Sequence, residues 1–288
     1  MCATQKPTPF TIDKGLEIPS IPLVLIRIIQ TLDDDRSSAK ELEKLILHDP
    51  ALSARILRLA NSAFYSFRAR VKTISHAIAL LGFNLVTSLA IGINIFDSFT
   101  KGAKSEAAHI NRLFTHSCGV GVLVKEIWSQ RSRNPKEREF AFLCGLLHDL
   151  GKVVLFKTYP AHYSSIFSID KTEEDPAISF YEEENYGMDH AAIGEMLARQ
   201  WGFPPELADV IRQHHDFEAL DNPMVGAVMM ADRLAKELKI GYDGDDGLYE
   251  SLEELQPKLK ISDAECKRLI DFAAGERENI EGFFKIAS

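Results

Sequence analysis

Histidine side chains are concentrated in the central part of the chain, where helical periodicity turns several of them toward the interior. Six of the nine histidines lie between residues 116 and 215. Apolar residues recur three or four positions away from them, which predicts amphipathic helices with the rings on the buried face. These neighbours are Leu113 and Val120 for His116, Ile193 and Leu197 for His190, and Leu207 and Ile211 for His214.

Two aspartates also fall where a buried side chain is predicted. Residues 141–147 are apolar on every helical face, so His148 and Asp149 end a helix that should be buried all round. Asp232 lies on the apolar stripe of a later helix, in phase with Val228. A buried carboxylate is unfavourable unless it is protonated, hydrogen-bonded or bound to a cation.

A buried metal centre would satisfy these groups together. A single inward histidine is most often an ordinary hydrogen-bonded core residue, but several inward titratable positions, two of them carboxylates, favour a metal site. Histidine nitrogens combined with carboxylate oxygens suit iron, manganese or zinc. The cysteines are far apart with no C-x-x-C spacing, so we interpret them as free thiols: Cys2, Cys118, Cys144 and Cys266.

Helix-start signals are frequent, and no segment shows the sustained alternation of a strand. Ser38 begins a capping box that ends at Glu41, and Asp49 and Asn222 each precede a proline. Pro204-Pro205 predicts another helix start. Glycine at position 151 is expected to end the helix that carries His148. The predicted fold class is all-α, with short helices joined by short loops.

Charge is distributed unevenly, which suggests a division into parts. Residues 1–50 carry six basic and eight acidic side chains, residues 51–104 carry seven and one, and residues 105–288 carry twenty and thirty-three. We therefore predict an N-terminal helical unit (1–104), a metal-binding helical domain (105–240), and an acidic loop with a helical tail (241–288). The acidic loop lacks the spacing of an EF-hand, so a solvated linker is favoured over a calcium site.

The basic stretch has two interpretations. It is either an ordinary solvated face or a docking surface for an acidic partner such as a response domain or a nucleic acid. Its five basic side chains are Arg55, Arg58, Arg68, Arg70 and Lys72. A net charge of −9 disfavours broad nucleic-acid binding. No apolar run approaches the roughly 20 residues that span a bilayer, and the start of the chain does not look like a signal peptide. We expect a cytoplasmic protein without a membrane partner.

The ordered set of histidines and aspartates resembles the HD superfamily, whose pattern is H…HD…H…H…D on an all-helical domain. Here the pattern comprises His116, His148-Asp149, His190, His214-His215 and Asp232, with Gly151-Lys152 after the HD pair. The N-terminal part narrows the resemblance to the HDOD family of bacterial signalling proteins. The resembling stretches include residues 18–22, 48–52, 59–63 and 74–82, and further on residues 182–187 and 201–204.

The resemblance implies a ligand set. His116, His148, Asp149 and Asp232 would hold one divalent ion, and Asp149 would bridge to a second ion held by His190 with His214 or His215. Iron or manganese is expected, with zinc or magnesium less favoured. Asp149 and Lys152 would be catalytic, the lysine offsetting phosphate charge, although a helix C-terminal cation is an equally good interpretation of Lys152.

The resemblance leaves the function open between two main classes. HDOD proteins are generally regulatory modules, which implies a signalling protein with a metal centre of one or two ions. Catalytic HD proteins are metal-dependent phosphohydrolases, which implies a phosphodiesterase or nucleotidase acting on a nucleotide or phosphorylated signal. Di-iron oxygenase chemistry or loss of the metal completes the alternatives. No G-Y-P loop follows His215, and Arg112 stands where the related HD-GYP proteins can use a glutamate, so cyclic di-GMP recognition of that type is not expected.

Overall fold

The chain folds into helices joined by short connections. In the computed structural model, residues 21–32, 38–62, 65, 67–100, 106–169, 172, 175–245, 247 and 251–285 are described. The helices are α1 (Leu23–Gln30), α2 (Ala39–Leu47), α3 (Pro50–Ala60), α4 (Ile74–Leu81), α5 (Phe83–Thr100), α6 (Ala107–Ser129), α7 (Pro135–Leu147), α8 (Leu150–Thr158), α9 (Pro160–Phe167), α10 (Ile178–Tyr186), α11 (His190–Gln200), α12 (Pro205–Gln213), a 3-10 helix (Phe217–Asp221), α13 (Pro223–Glu237), α14 (Leu252–Lys258) and α15 (Asp263–Lys285). No strand occurs in these ranges, and the all-α prediction is confirmed.

Several predicted helix starts are confirmed by their caps. The Ser38 hydroxyl accepts a hydrogen bond from the Glu41 amide at the start of α2. Asp49 accepts two amide hydrogen bonds at the start of α3, and Asn222 accepts one at the start of α13. These side chains satisfy amide groups that have no partner within the helix.

Glycine at position 151 does not end a helix, contrary to the prediction. Helix α7 ends at Leu147, α8 begins at Leu150, and Gly151 lies within the first turn of α8. A Cβ atom at Gly151 would lie 1.9 Å from the carbonyl oxygen of His190. The glycine therefore permits α8 to pack closely against α11, and His148 and Asp149 lie in the turn between α7 and α8.

Helix α6 is central to the packing around the predicted ligands. It packs against α7, α13 and α15, while α11 packs against α8 and α12. Helix α5 contacts α1 to α4 on one side and α7 and α8 on the other, so the buried core continues from the N-terminal helices to the rest of the chain. The predicted boundary at 104/105 lies outside the described residues, and the three-part division stays a prediction.

Membrane-spanning potential is low in the described part of the chain. No single helix there has both the length and the apolar character needed to cross a bilayer. The helices Ile74–Leu81 and Phe83–Phe99 are long and apolar enough only when they are taken together, and the chain bends by 119° between them.

Candidate metal centre

Five structural elements converge on one buried cluster. His116 comes from the middle of α6, His148 and Asp149 from the α7–α8 turn, and His190 is the first residue of α11. The cluster is completed by residues from the end of α12 and from α13, namely His214, His215 and Asp232. All seven predicted ligands are thus brought together. Six are buried, with Asp232 the most exposed of these at 5%, and His215 is partly exposed.

One group of ligand atoms, here called subsite 1, consists of Asp149, His190, His214 and His215. The Nε2 atom of His190 lies 3.3 Å from Asp149 Oδ1, 3.3 Å from His214 Nε2 and 3.1 Å from His215 Nε2. His214 Nε2 lies 3.6 Å from Asp149 Oδ1. Atoms bound about 2.1 Å from a common ion are separated by about 3.0 to 3.4 Å in octahedral or tetrahedral arrangements. The spacing therefore fits a shared ion.

A second group, subsite 2, consists of His116, His148, Asp149 and Asp232. Asp232 Oδ1 lies 2.9 Å from His116 Nε2 and 3.7 Å from His148 Nε2. His148 Nε2 lies 3.4 Å from Asp149 Oδ2. The two carboxylate oxygens of Asp149 thus face different subsites, the arrangement that a bridging ligand requires.

Hydrogen bonds fix the orientation of three imidazole rings. The Nδ1 atoms of His148 and His214 each lie 2.7 Å from a backbone carbonyl oxygen, that of Gly145 and Ile211 respectively. A carbonyl oxygen only accepts, so each Nδ1 must carry the proton and donate. Each Nε2 atom then presents a lone pair to the cluster, as in metal-binding histidines whose other nitrogen is held by the protein.

Glu182 performs the same role for His190 and was not predicted as a site residue. This fully buried glutamate on α10 accepts a hydrogen bond from His190 Nδ1 at 2.6 Å and another from Tyr163 Oη at 2.6 Å. A signal for it exists in the sequence, because Glu182 lies four residues from both Ile178 and Tyr186, on the apolar stripe of α10.

Several lone pairs in the cluster have no proton to accept. His148 Nε2 and Asp149 Oδ1 are buried without a hydrogen-bond partner. The Nε2 atoms of His190 and His214 face each other, although the Nδ1 proton of each ring is already donated elsewhere. A cation, either a proton or a metal ion, must lie between them to remove the lone-pair repulsion. The residues present therefore fit a divalent metal ion.

Electrostatics keep His214, His215 and the two aspartates in the protonation states that bind metal. Burial lowers the pKa of His214 to about 4, and burial with the neighbouring His214 and His190 rings holds the pKa of His215 well below its usual value. Both rings are neutral near pH 7. Burial by itself would raise the pKa values of Asp149 and Asp232, but nearby cations, with Lys152 and Lys236 foremost, hold both well below the usual range.

The position of Lys152 contradicts one of its two predicted interpretations. It lies in the first turn of α8, not at a helix C-terminus, and its side chain is fully buried. Its ammonium group donates hydrogen bonds to Asp149 Oδ2 at 3.0 Å and to Asp243 Oδ2 at 2.8 Å. The helix-end interpretation is therefore wrong, and the ammonium is already paired with two carboxylates.

The described part of the acidic loop, residues 241–245 and 247, is also not a solvated linker. Asp243 and Asp245 are 2% and 0% exposed. Lys236 on α13 lies 2.9 Å from Asp232 Oδ2 and 3.2 Å from Asp243 Oδ2, so Asp243 joins the charged surroundings of subsite 2. Asp243 and Asp245 were missed because an acidic glycine-rich segment has the composition of an exposed loop. Lys236, on α13, was missed as well.

The basic residues of the N-terminal part are divided by the structure. Arg55 pairs with Asp97 of α5 within the chain. Arg58, Arg70 and Lys72 are exposed and line one surface groove, which we call the basic groove and which also includes Ala54, Leu57, Asn61 and Val71. Arg68 is exposed but does not line this groove.

Residues 18–217 match the HDOD domain family. The chain belongs to the HDOD family. An uncharacterized protein of Treponema pallidum (strain Nichols) is 26% identical over 208 residues, which cover 71% of this HDOD chain but only 39% of that relative. The chain thus spans about two fifths of the length of this relative.

Solved structures share the fold of this HDOD chain over nearly its full length. An HDOD domain protein of unknown function from Geobacter sulfurreducens is 25% identical, with a TM-score of 0.75 and coverage of 94% of both chains. A Shewanella amazonensis SB2B protein named "putative phosphohydrolase" is 24% identical, with a TM-score of 0.72 and coverage of 94% of this chain and 95% of that one. A Marinobacter aquaeolei VT8 protein named "putative signal transduction protein" is 22% identical, with a TM-score of 0.71 and coverage of 93% of this chain and 59% of that one.

Proposed function

We propose that this HDOD protein is a signalling or regulatory module whose His/Asp cluster binds one or two divalent metal ions. The observation that carries the proposal is the convergence of ligand atoms in subsite 1, where His190 Nε2 lies 3.1 Å from His215 Nε2, 3.3 Å from His214 Nε2 and 3.3 Å from a carboxylate oxygen of Asp149. Three imidazole nitrogens and one carboxylate oxygen suit iron, manganese or zinc. An ion held there by Asp149, His190, His214 and His215 would supply a positive charge that links the start of α8, α11 and the end of α12.

A regulatory role is favoured over catalysis by how the cluster is enclosed. Six of the seven ligands are buried, and only His215 is partly exposed. Lys152, expected to offset the charge of a phosphate, is fully buried and paired with Asp149 and Asp243. A buried ion that couples several helices suits a protein that responds to metal binding by a change in shape or stability.

The test is the metal content of protein purified without chelator, measured by inductively coupled plasma mass spectrometry. We expect at least about one ion per chain, and loss of the ion in a His190→Ala, His214→Ala double variant. A His48→Ala, His76→Ala double variant is the matched control, since both residues lie outside the cluster, and it should keep the ion. Less than one ion per chain after reconstitution with Fe²⁺, Mn²⁺ and Zn²⁺ would exclude the metal-binding role.

Phosphohydrolase activity is the second candidate, and the two oxygens of Asp149 favour it. Asp149 Oδ1 faces subsite 1 and Oδ2 faces subsite 2, so the carboxylate can bridge two ions. A pair of ions would lower the pKa of bound water and stabilise the charge of a phosphoryl group. In that case Asp149 and the histidines would hold the ions, and Lys152 would keep Asp149 in place. The metal-loaded protein should then hydrolyse a nucleotide or cyclic dinucleotide, and Asp149→Ala should abolish the reaction. Metal-loaded protein that is inactive on such a panel supports the regulatory role.

A regulatory module needs a partner, and we propose that the basic groove receives an acidic segment of another protein. Arg58, Arg70 and Lys72 have no ion-pair partner among the described residues, and they surround the apolar side chains of Leu57 and Val71. Asn61 holds one wall rigid, because its side chain bonds the backbone N–H and C=O of Val71, each at 2.8 Å. A segment with carboxylates beside leucines would complement both features.

A labelled synthetic peptide of glutamates and leucines tests the groove. It should bind in low salt, weaken strongly in high salt and fail to bind an Arg58→Glu, Arg70→Glu variant. Arg133→Glu, which changes an exposed cation elsewhere, is the control and should bind like the unmodified protein. Tighter binding of a single-stranded oligonucleotide would assign the groove to nucleic acid, and salt-insensitive peptide binding would also contradict the proposal.

A further inference from the structure

Residues 241–245 of the acidic loop pack against the candidate metal centre in spite of the composition of the loop. Asp243 and Asp245 are almost fully enclosed, at 2% and 0% exposure. Burial of carboxylates is unfavourable without charged or hydrogen-bonding partners. The partners of these two aspartates show what the loop contributes.

Asp243 connects the loop to subsite 2 through two lysines. Its Oδ2 atom lies 2.8 Å from Lys152 Nζ and 3.2 Å from Lys236 Nζ. The same ammonium groups lie 3.0 Å from Asp149 Oδ2 and 2.9 Å from Asp232 Oδ2. Asp243 therefore shares Lys152 with Asp149 and Lys236 with Asp232. These shared ion pairs hold each lysine beside a predicted ligand.

Asp245 connects the loop to subsite 1 through α10. Its Oδ1 atom accepts a hydrogen bond of 2.9 Å from the amide of Ile178, the first residue of α10. Helix α10 carries Glu182, which holds His190 Nδ1. One short loop therefore supports the surroundings of both subsites.

Glycines allow the close docking of this loop. Gly241 and Gly244 have φ angles of +69° and +85°, a region that other residues rarely adopt. A Cβ at Gly241 would lie 2.3 Å from the backbone nitrogen of His116, and one at Gly244 would lie 2.3 Å from the ring of Phe167. The loop backbone therefore touches the helix that carries a predicted ligand.

The charges give the docked loop a specific effect on metal binding. Two buried ammonium groups beside a cation site repel the cation. Asp243 lies between the two lysines and offsets their charge, so undocking the loop would leave both lysines uncompensated next to Asp149 and Asp232. A bound metal ion and a docked loop then favour each other, and this coupling is reciprocal.

We propose that residues 241–245 form an outer part of the metal centre, that Asp243 and Asp245 are positioning residues for it, and that docking of this segment and metal occupancy are coupled. The proposal rests on the proposed metal binding. It gives the regulatory module an output, because the metal state sets how firmly residues 241–245 are docked.

Hydrogen–deuterium exchange of the full chain, with and without Mn²⁺ or Zn²⁺, tests the coupling directly. The amides of residues 241–245 should exchange more slowly with metal, and the amide of Tyr242, which donates to the carbonyl of Arg112, reports docking. Amides of α2, in the N-terminal part, serve as the internal reference and should not respond.

Substitution tests the role of the carboxylates. Asp243→Asn should weaken Co²⁺ binding, followed by the visible spectrum, by about tenfold or more, the usual effect of losing an outer-shell partner. It should also remove the metal dependence of loop exchange. Lys152→Met introduced into the Asp243→Asn variant should restore part of the affinity, because it removes an uncompensated ammonium. Asp245→Asn should weaken binding less, and the control, Asp221→Asn, should leave it unchanged.

The outcomes separate this proposal from the proposed function. If the unmodified protein binds no metal, the metal-binding function itself fails. If it binds metal but the loop exchanges at the same rate with and without the ion, the coupling is wrong while metal binding stands. The exchange experiment needs no variant, so it decides the question even if Asp243→Asn does not fold.

Discussion

Glu182 accepts hydrogen bonds from both the ring Nδ1 and the backbone N–H of His190, at 2.6 and 2.7 Å. It thereby fixes the rotation of the ring and the start of α11 together. Because Nδ1 is committed to Glu182, Nε2 must face the cluster. The negative charge of Glu182 also makes Nε2 more basic, and so a better ligand for a cation.

Replacing Glu182 should weaken metal binding at subsite 1. In a Glu182→Gln variant the ring loses its charged partner, and we expect a loss of affinity for Zn²⁺ or Co²⁺ of about 10- to 100-fold. Competition with a chromogenic chelator measures this. Glu183→Gln changes an exposed neighbour on the same helix and should have no effect. Equal affinities of the two variants would show that Glu182 does not support the site.

Close packing of α8 on α11 predicts a large effect at Gly151. A methyl group there would collide with the carbonyl oxygen of His190, because the added Cβ would lie only 1.9 Å from it. Gly151→Ala should therefore destabilise the fold by about 2 kcal/mol or more, since backbone must move to relieve the overlap.

Gly275 on α15 provides the control for this substitution. A Cβ at Gly275 would meet nothing within 4 Å, and the residue is exposed. Gly275→Ala should be neutral or stabilise the protein by up to about 1 kcal/mol, since alanine favours helix. Urea unfolding followed by circular dichroism compares the two variants. A Gly151→Ala protein as stable as Gly275→Ala would contradict the packing argument.

Much of the candidate site could be predicted because its ligands lie on regular elements. His116, His190, His214 and Asp232 occupy apolar helical stripes, and helical periodicity alone turns such positions inward. The turn that carries His148 and Asp149 follows an all-apolar helix, which indicates burial without knowledge of the fold. Helix starts were predictable for the same local reason, since Ser38 and Asp49 cap helices through their own neighbours.

Residues that depend on distant partners could not be predicted. Asp243 is buried because Lys152 lies 2.8 Å away, yet the two are 91 positions apart in the chain. Glycine at position 151 predicts the end of a helix from its local sequence, but in the structure it allows α8 to pack closely against α11. Glu182 is an intermediate case. Its position on the apolar stripe of α10 predicts that it is buried, but the sequence does not show that its partner is His190. Propensity and periodicity describe neighbours along the chain, whereas charge compensation and close packing are set by the tertiary structure.

Buried cysteines should be unreactive in the folded protein. Burial raises the pKa values of the Cys118 and Cys144 thiols, so both stay protonated at neutral and mildly alkaline pH. Only the thiolate reacts quickly with iodoacetamide, and an ordinary thiol forms it near a pKa of about 8.5. Peptide mapping by mass spectrometry should therefore find these two thiols unmodified up to pH 9 in native buffer and fully alkylated in urea. Native alkylation near pH 8 would show that the helices around α6 and α7 open readily.

The ion pair between Lys152 and Asp243 should stabilise the metal-free protein through strong coupling. Removing either partner leaves a buried charge uncompensated, and such single changes typically destabilise by about 3 to 5 kcal/mol. We expect Lys152→Met and Asp243→Asn each to be strongly destabilising, and the double variant to be less so than their sum by about 1 to 3 kcal/mol. Urea unfolding in the presence of a chelator measures this double-mutant cycle. The exposed pair Arg233–Glu237 on α13, with its atoms 3.2 Å apart, is the control and should give a coupling of only about 0.3 to 0.5 kcal/mol. A coupling for Lys152 and Asp243 as small as the control value would mean that Asp243 is not the charge partner that keeps Lys152 beside Asp149.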